Sequence, residues 1–181
     1  KDIDVAIDFS SPETAFNNIS HAIKHNIPII SGTTGWLEKL EEIKKLCTQY
    51  NGSFLYASNF SIGVNMFFKL NIELAKLMQG KIYTTSISET HHLEKLDKPS
   101  GTAKTLSKDI QKELKITPNI ISHRVENKIG THEIKYASEI DSIKIVHEAK
   151  TRDGFAHGAL LAAEWIRNKK GIFSMQDVLS L

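Results

Sequence analysis

The hydrophobic rhythm of this 181-residue chain changes near residue 78, and that change limits the folds it can adopt. Before it, short apolar runs alternate with helical patterns. Asp4–Phe9, Pro28–Ile30 and Phe54–Tyr56 read as strands, while Ala15, Phe16, Ile19, Ala22 and Ile23 recur at helical spacing. So do Leu37, Leu40, Ile43 and Leu46, and after them Val64, Phe67, Phe68, Ala75 and Met78. Ser10-Ser11-Pro12-Glu13 is a helix start, with a serine cap before a proline whose missing N–H costs nothing in the first turn. Strand–helix alternation predicts a parallel, doubly wound sheet.

After residue 78 the period shortens to two. Tyr83–Glu89, Ile120–Val125, His132–Ala137 and Ile143–Ala149 each alternate like half-buried strands, with one helix carrying Ala103, Leu106, Ile110 and Leu114 between them. This predicts an α+β unit with a mostly antiparallel or mixed sheet. A last helix is expected over Ala159–Ile166, with a short turn of structure at Met175–Leu179. The expected fold class is α/β: a partial parallel sheet formed by residues 1–62 and 159–181, plus an α+β domain with a mixed open sheet over 63–158.

The 40% hydrophobic content supports a core of that size, and 23 basic against 21 acidic residues leaves no clustered basic face for nucleic acid. No apolar run approaches the ~20 residues of a membrane span. A single cysteine, Cys47, excludes an internal disulfide framework and fits a reducing, cytoplasmic setting.

Ligands of open α/β sheets bind beyond the carboxyl ends of the strands. Two loops leave such ends: Gly32-Thr33-Thr34-Gly35, with free backbone approach and two hydroxyls, and Ala57-Ser58-Asn59-Phe60, with a hydroxyl, an amide and an aromatic face. Both also suit ordinary strand-to-helix turns. No G-x-G-x-x-G pyrophosphate fingerprint occurs anywhere in the sequence.

The densest chemistry lies in Glu89-Thr90-His91-His92-Leu93-Glu94-Lys95-Leu96-Asp97-Lys98-Pro99-Ser100-Gly101-Thr102-Ala103. His91 and His92 are neighbours at a strand end, so they face opposite ways and do not share one metal; without a properly spaced third ligand, no metal is expected. Lys95 is close enough in sequence to converge with a histidine on one pocket. Ser100-Gly101-Thr102 opens a helix, where unpaired N–H groups attract a carboxylate. Arg152, in the stretch before the last helix, is either a second carboxylate clamp or a solvated loop residue.

These residues resemble those of the dihydrodipicolinate reductase family. That family's motif, E-x-H-H-x-x-K-x-D-x-P-S-G-T-A, is met by Glu89, His91, His92, Lys95, Asp97, Pro99, Ser100, Gly101, Thr102 and Ala103. Asp8-Phe9-Ser10 with Pro12, Gly32–Gly35, Asn59–Asn65, Arg152–Leu160 and Met175–Leu179 match in family order.

The resemblance implies a Rossmann-like domain for NADH or NADPH, and a substrate domain whose sheet mediates a homotetramer. The implied reaction is reduction of hydroxy-tetrahydrodipicolinate, a small dicarboxylate of diaminopimelate and lysine biosynthesis, with loss of water. By position, His91 and Lys95 would be the acid pair, and His92, Ser100, Gly101, Thr102 and Arg152 the substrate grip. Gly32, Thr33, Thr34, Ala57, Ser58, Asn59 and Phe60 would line the cofactor site.

The family opens with a strand and a glycine-rich loop that have no counterpart after Lys1, so the beginning is expected to be missing from this sequence and cofactor binding by the piece alone to be impaired. Two further readings remain at this point. One is a non-catalytic fragment that keeps the substrate and oligomer contacts; the other is a different two-domain NAD(P)-dependent dehydrogenase.

Overall fold

In the computed structural model, which describes residues 3–181, the chain forms two compact units. One comprises the chain up to Asn65 together with Asp153–Leu181; the other is Met66–Arg152.

The first unit is built on strands β1 (Ala6–Asp8), β2 (Ile29–Ser31), β3 (Ser53–Tyr56) and β8 (Gly171–Phe173), all parallel, in the order β1-β2-β3-β8. Alternate residues on adjacent strands feed opposite faces. Ile29 and Phe54 pack with Ala15, Ile19 and Ile23 of helix α1 (Pro12–Lys24) and with Ile43 and Cys47 of helix α2 (Leu40–Gln49). Ile30 and Leu55 pack on the other side with Ala159, Ala162 and Ile166 of helix α5 (Asp153–Ile166) and Met175 of helix α6 (Met175–Leu179). The start of α1 is the one expected from Ser11-Pro12, and Thr14 completes a capping box with Ser11.

Two elements differ from the sequence expectation. The strand Gly171–Phe173 was not expected, because three residues show no period. It forms by adding to the edge of β3, with Gly171 N–H donating to the Gly52 carbonyl at 2.9 Å and Gly171 at φ +131°. Helix α5 starts at Asp153, six residues before the expected Ala159. Gly154 and Gly158 lower the helix propensity of that stretch, yet Gly158 is what lets the helix dock: a Cβ there would lie 1.8 Å from the Phe60 carbonyl oxygen. Helical packing overrides the local preference.

In the second unit, β4 (Thr84–His91) lies at the centre of a mixed sheet, parallel to β5 (Asn119–Arg124) and antiparallel to β6 (Gly130–Ala137), which pairs in turn with β7 (Ser142–Ala149). Helix α4 (Gly101–Leu114) turns Ala103, Leu106 and Ile110 onto Ile87, Ile134 and Tyr136 of one sheet face. Phe67, Ala75 and Met78 of helix α3 (Ile62–Leu77, with Met78 just past its end) close the same core. Asn71, within that interface, donates to the Leu106 carbonyl at 3.1 Å.

Candidate functional site

The core-facing side of the mixed sheet changes character towards the carboxyl end of β4. Register pairs Ile87 with Ile120 and Ile134, but two residues on it pairs Glu89 with Ser122 and His132, and His132 with His147. His91 pairs with Arg124. Because strand side chains repeat every second residue, a hydrophobic row and a polar row lie on one face, and the polar row sits where the core ends.

Glu89 has no exposed surface and still carries its charge. Burial works against the carboxylate, but hydrogen bonds from Ser122 and Arg124 and the nearby positive charge hold its pKa below the ordinary value. Arg124 Nη1 donates to Oε1 at 3.1 Å, while Oε2 meets His91 Nδ1. Arg124 also fastens the loop after β4, giving hydrogen bonds to the carbonyls of Lys95 at 3.2 Å and Asp97 at 2.6 Å.

With Nδ1 turned to Glu89, His91 has Nε2 as its remaining proton-handling atom, and Gly130 keeps the space beside it open: a Cβ there would come within 3.1 Å of Nε2. Burial pushes the His91 pKa down, with Lys95 and Arg124 acting the same way and Glu89 opposing. The ring of His132 stands edge-on to that of His91, centroids 5.0 Å apart, and is 4% exposed. Glu89, His91 and His132 bring one ligand-type atom each to within 4.8 Å of one another.

Ser100 caps α4, its Oγ accepting the Ala103 N–H at 3.2 Å and lying 3.1 Å from His132 Nε2. At 2% exposure this hydroxyl is committed inside the protein. Gly101 and Thr102 remain more open at the helix start, with Gly101 exposed. Lys95 Nζ pairs with Asp97 at 2.6 Å, in the same loop. His92 points away from His91, as strand alternation requires, and its Nε2 lies 3.5 Å from Arg152 Nη2. The structure thus groups His91, Lys95 and the start of α4 in one region and places His92 beside Arg152. Arg124 and His132 were not candidates, because only strand pairing brings them to this site; Glu89, two residues before His91 on the same strand, stood in the motif without a role of its own.

In the first unit, the two candidate loops leave adjacent strands. The Gly32–Gly35 loop is held by Asp8, which accepts hydrogen bonds from Ser31 and Thr33 (2.8 Å each), Ser10 (2.7 Å) and Asn18 (3.1 Å). Burial opposes the charge of Asp8, but these donors outweigh it and its pKa is lowered. Thr33 Oγ1 also accepts the Ser10 N–H at 2.9 Å, so this hydroxyl is fully used within the loop. Thr34 and Ser58 remain exposed, while Ala57 is buried. Asn59 braces its own loop, accepting the Ser61 N–H at 2.9 Å. The Phe60 ring, 2% exposed, packs in the core and offers no free face; Phe9, its ring 5.4 Å away, is 56% exposed and lies over Gly32.

Comparison with known proteins matches both units in order. Residues 1–60 fit the model described as dihydrodipicolinate reductase, N-terminus, and residues 63–179 fit the one described as dihydrodipicolinate reductase, C-terminus. A 4-hydroxy-tetrahydrodipicolinate reductase of Christiangramia forsetii is 50% identical over 99% of this chain and 80% of that protein. One from Rickettsia rickettsii is 37% identical over the whole of this chain and 81% of its own length.

Among solved structures, a dipicolinate-bound dihydrodipicolinate reductase from Paenisporosarcina shares the fold, with a TM-score of 0.79 at 23% identity over 96% of this chain and 73% of that one. An amine dehydrogenase from Mycobacterium smegmatis is more distantly similar, with a TM-score of 0.56 at 10% identity over 93% of this chain and 74% of that one. With both halves matched in sequence order and half of its aligned positions identical to a curated relative, the chain belongs to the dihydrodipicolinate reductase family.

Proposed function

We propose that this protein reduces 4-hydroxy-tetrahydrodipicolinate to tetrahydrodipicolinate, with loss of water, using NADH or NADPH, in the diaminopimelate and lysine pathway. The observation that carries this reading is the grouping of the Glu89–His91 pair, Lys95 and the start of α4, within a chain that matches both halves of the family.

The substrate is a dianion. Backbone N–H groups of the first turn of α4, aided by the helix dipole, receive one carboxylate, with Gly101 and Thr102 presenting them and Lys95 supplying the counter-charge. Lys95 exchanges Asp97 for the substrate carboxylate in doing so. Arg152 and His92, side by side, take the second carboxylate.

The resting His91 is held neutral by burial, and an arriving dianion raises its pKa so that Nε2 carries a proton in the complex. The 4-hydroxyl leaves as water with a proton from the neighbouring ring carbon; reduction of the double bond so formed leaves electron density on the ring, and His91 Nε2 protonates it while Glu89 stabilises the imidazolium from Nδ1. The Glu89–His91 pair serves this proton, with Arg124 bonded to the other carboxylate oxygen and Lys95 placing further positive charge near His91.

The nicotinamide cofactor supplies the hydride when bound. The residues present fit it: the two loops lie beyond the carboxyl ends of neighbouring parallel strands, Gly32 leaves its flank to an exposed Phe9 ring, and Thr34 and Ser58 stay free at the surface. Asn59 and Asp8 shape those loops. The mixed sheet, with Ile121 and Val146 exposed on the face away from α4, is the surface proposed for the homotetramer, which sedimentation equilibrium would test.

The deciding experiment is a coupled assay with freshly made substrate on the full-length protein, its His91→Ala form and its Lys95→Ala form. Each substitution is expected to lower the rate by at least ~100-fold, the scale of a lost general acid. Full activity in both would refute the assignment.

A further inference from the structure

His132 has no part in the proton transfer described above, yet it touches both of the parts that perform it. Its Nε2 lies 3.1 Å from Ser100 Oγ, the cap of the helix whose start receives the substrate carboxylate, and its ring stands edge-on to His91. Ser100 Oγ already accepts the Ala103 N–H, so its single proton is free to be donated to His132 Nε2. With Ser100 as the donor, Nε2 is the bare nitrogen and the ring hydrogen sits on Nδ1, which among the described residues has no partner.

We infer that His132 is a positioning residue that ties the helix cap at Ser100 to the ring of His91, so that substrate capture at the start of α4 and alignment of the proton donor depend on one buried imidazole. The inference rests on the reductase reading given above.

The surroundings explain why an uncharged histidine is placed there. Burial, the neighbouring His91, His147 and Lys95 all disfavour a second cation, with Glu89 alone opposing them, and the pKa of His132 is pushed down to about 4. A neutral ring can press its face or edge against His91 in both protonation states of His91, whereas a charged one would repel the imidazolium. Phe or Leu would pack equally well but would leave the Ser100 hydroxyl without its acceptor, which a buried polar group tolerates poorly.

Two measurements test this on the full-length protein. Long-range proton–nitrogen correlation spectra report tautomers directly: His132 is expected as a single Nδ1–H form from pH 7.5 to 5.5, and an Nε2–H form, or titration near 6.5, would overturn the inference. The second is kinetic. His132→Ala is expected to lower kcat about 10-fold, on the scale of a misaligned catalytic group. It should also move the basic limb of the pH–rate profile upward by about half a unit or more, because His91 becomes better hydrated. The groups facing His91 through that change are Glu89, Lys95 and Arg124.

His132→Gln, whose amide oxygen can again accept from Ser100, should recover substrate KM while leaving the limb displaced, a split that a purely structural role would not produce. Should His132→Ala fail to fold, the glutamine form carries the kinetic test. An unchanged kcat and an unmoved limb in the glutamine form would refute the role. Absence of turnover in the wild type would instead refute the reductase reading, and the spectra would still judge the tautomer.

Discussion

Arg124 Nη1 lies 3.1 Å from Glu89 Oε1 at a point in the mixed sheet where Glu89 has no contact with solvent. The other carboxylate oxygen faces His91, so one buried anion links a structural cation to the proposed proton donor. Such pairs add little net stability when complete, but breaking one strands a charge.

Glu89→Gln should therefore leave Arg124 with an uncompensated charge and destabilise the fold by about 3 kcal/mol, while removing the anion that supports a protonated His91. Urea unfolding at pH 7.5 and single-turnover rates at fixed protein stability would separate the two effects. A glutamine form with wild-type stability and wild-type rate would contradict both.

Acid should weaken the fold before the carboxylates titrate. An unfolded His132 takes up a proton near 6.5, whereas the folded one resists until about 4. The unfolded state then binds more protons throughout that window, so stability present above about pH 6.5 is lost as pH falls towards 4, by about 3 kcal/mol from this residue. His91 and His147, whose pKa values burial also lowers, add to the same slope. Unfolding free energies at pH 7, 5.5 and 4.5 should fall in that order, and His132→Gln should flatten the decline. A pH-independent stability across the range would refute this.

The Asp8 carboxylate accepts from four side chains at once, three of them hydroxyls and one the Asn18 amide. Asp8→Ala should cost about 2 kcal/mol or more by leaving buried donors unpaired, and should loosen the Gly32–Gly35 loop. Fluorescence titration with NADH and with NADPH is expected to show weaker binding of whichever cofactor the wild type takes. Unaltered affinity would show that the loop is held by other means.

Gly158 marks where α5 meets the loop after β3. Alanine there would drive its Cβ to 1.8 Å from the Phe60 carbonyl, and backbone on both sides leaves no flexible atom to move. A loss of about 3 kcal/mol or insoluble expression is expected, at the upper end of overpacking costs. Gly154→Ala serves as the control, since its nearest neighbour lies at 3.9 Å. Equal melting temperatures for the two variants would disprove the close-approach argument.

Much of this protein is legible along the chain. Ile29 and Ile30, or Phe54 and Leu55, announce strands buried on both faces, and Ser11-Pro12 announces a helix start, because periodicity and capping depend on residues within one turn or one strand of each other. The run from Glu89 to Ala103 is equally readable as a motif. What tertiary structure alone decided is which of these groups remain available. Ser100, Thr33 and Phe60, each attractive as a binding residue, spend their hydroxyl or ring on the protein itself. His132 and Arg124, 41 and 33 positions beyond His91, join the site only because β6 and β5 flank β4 in one register, and strand pairing between distant segments leaves no local trace in the sequence.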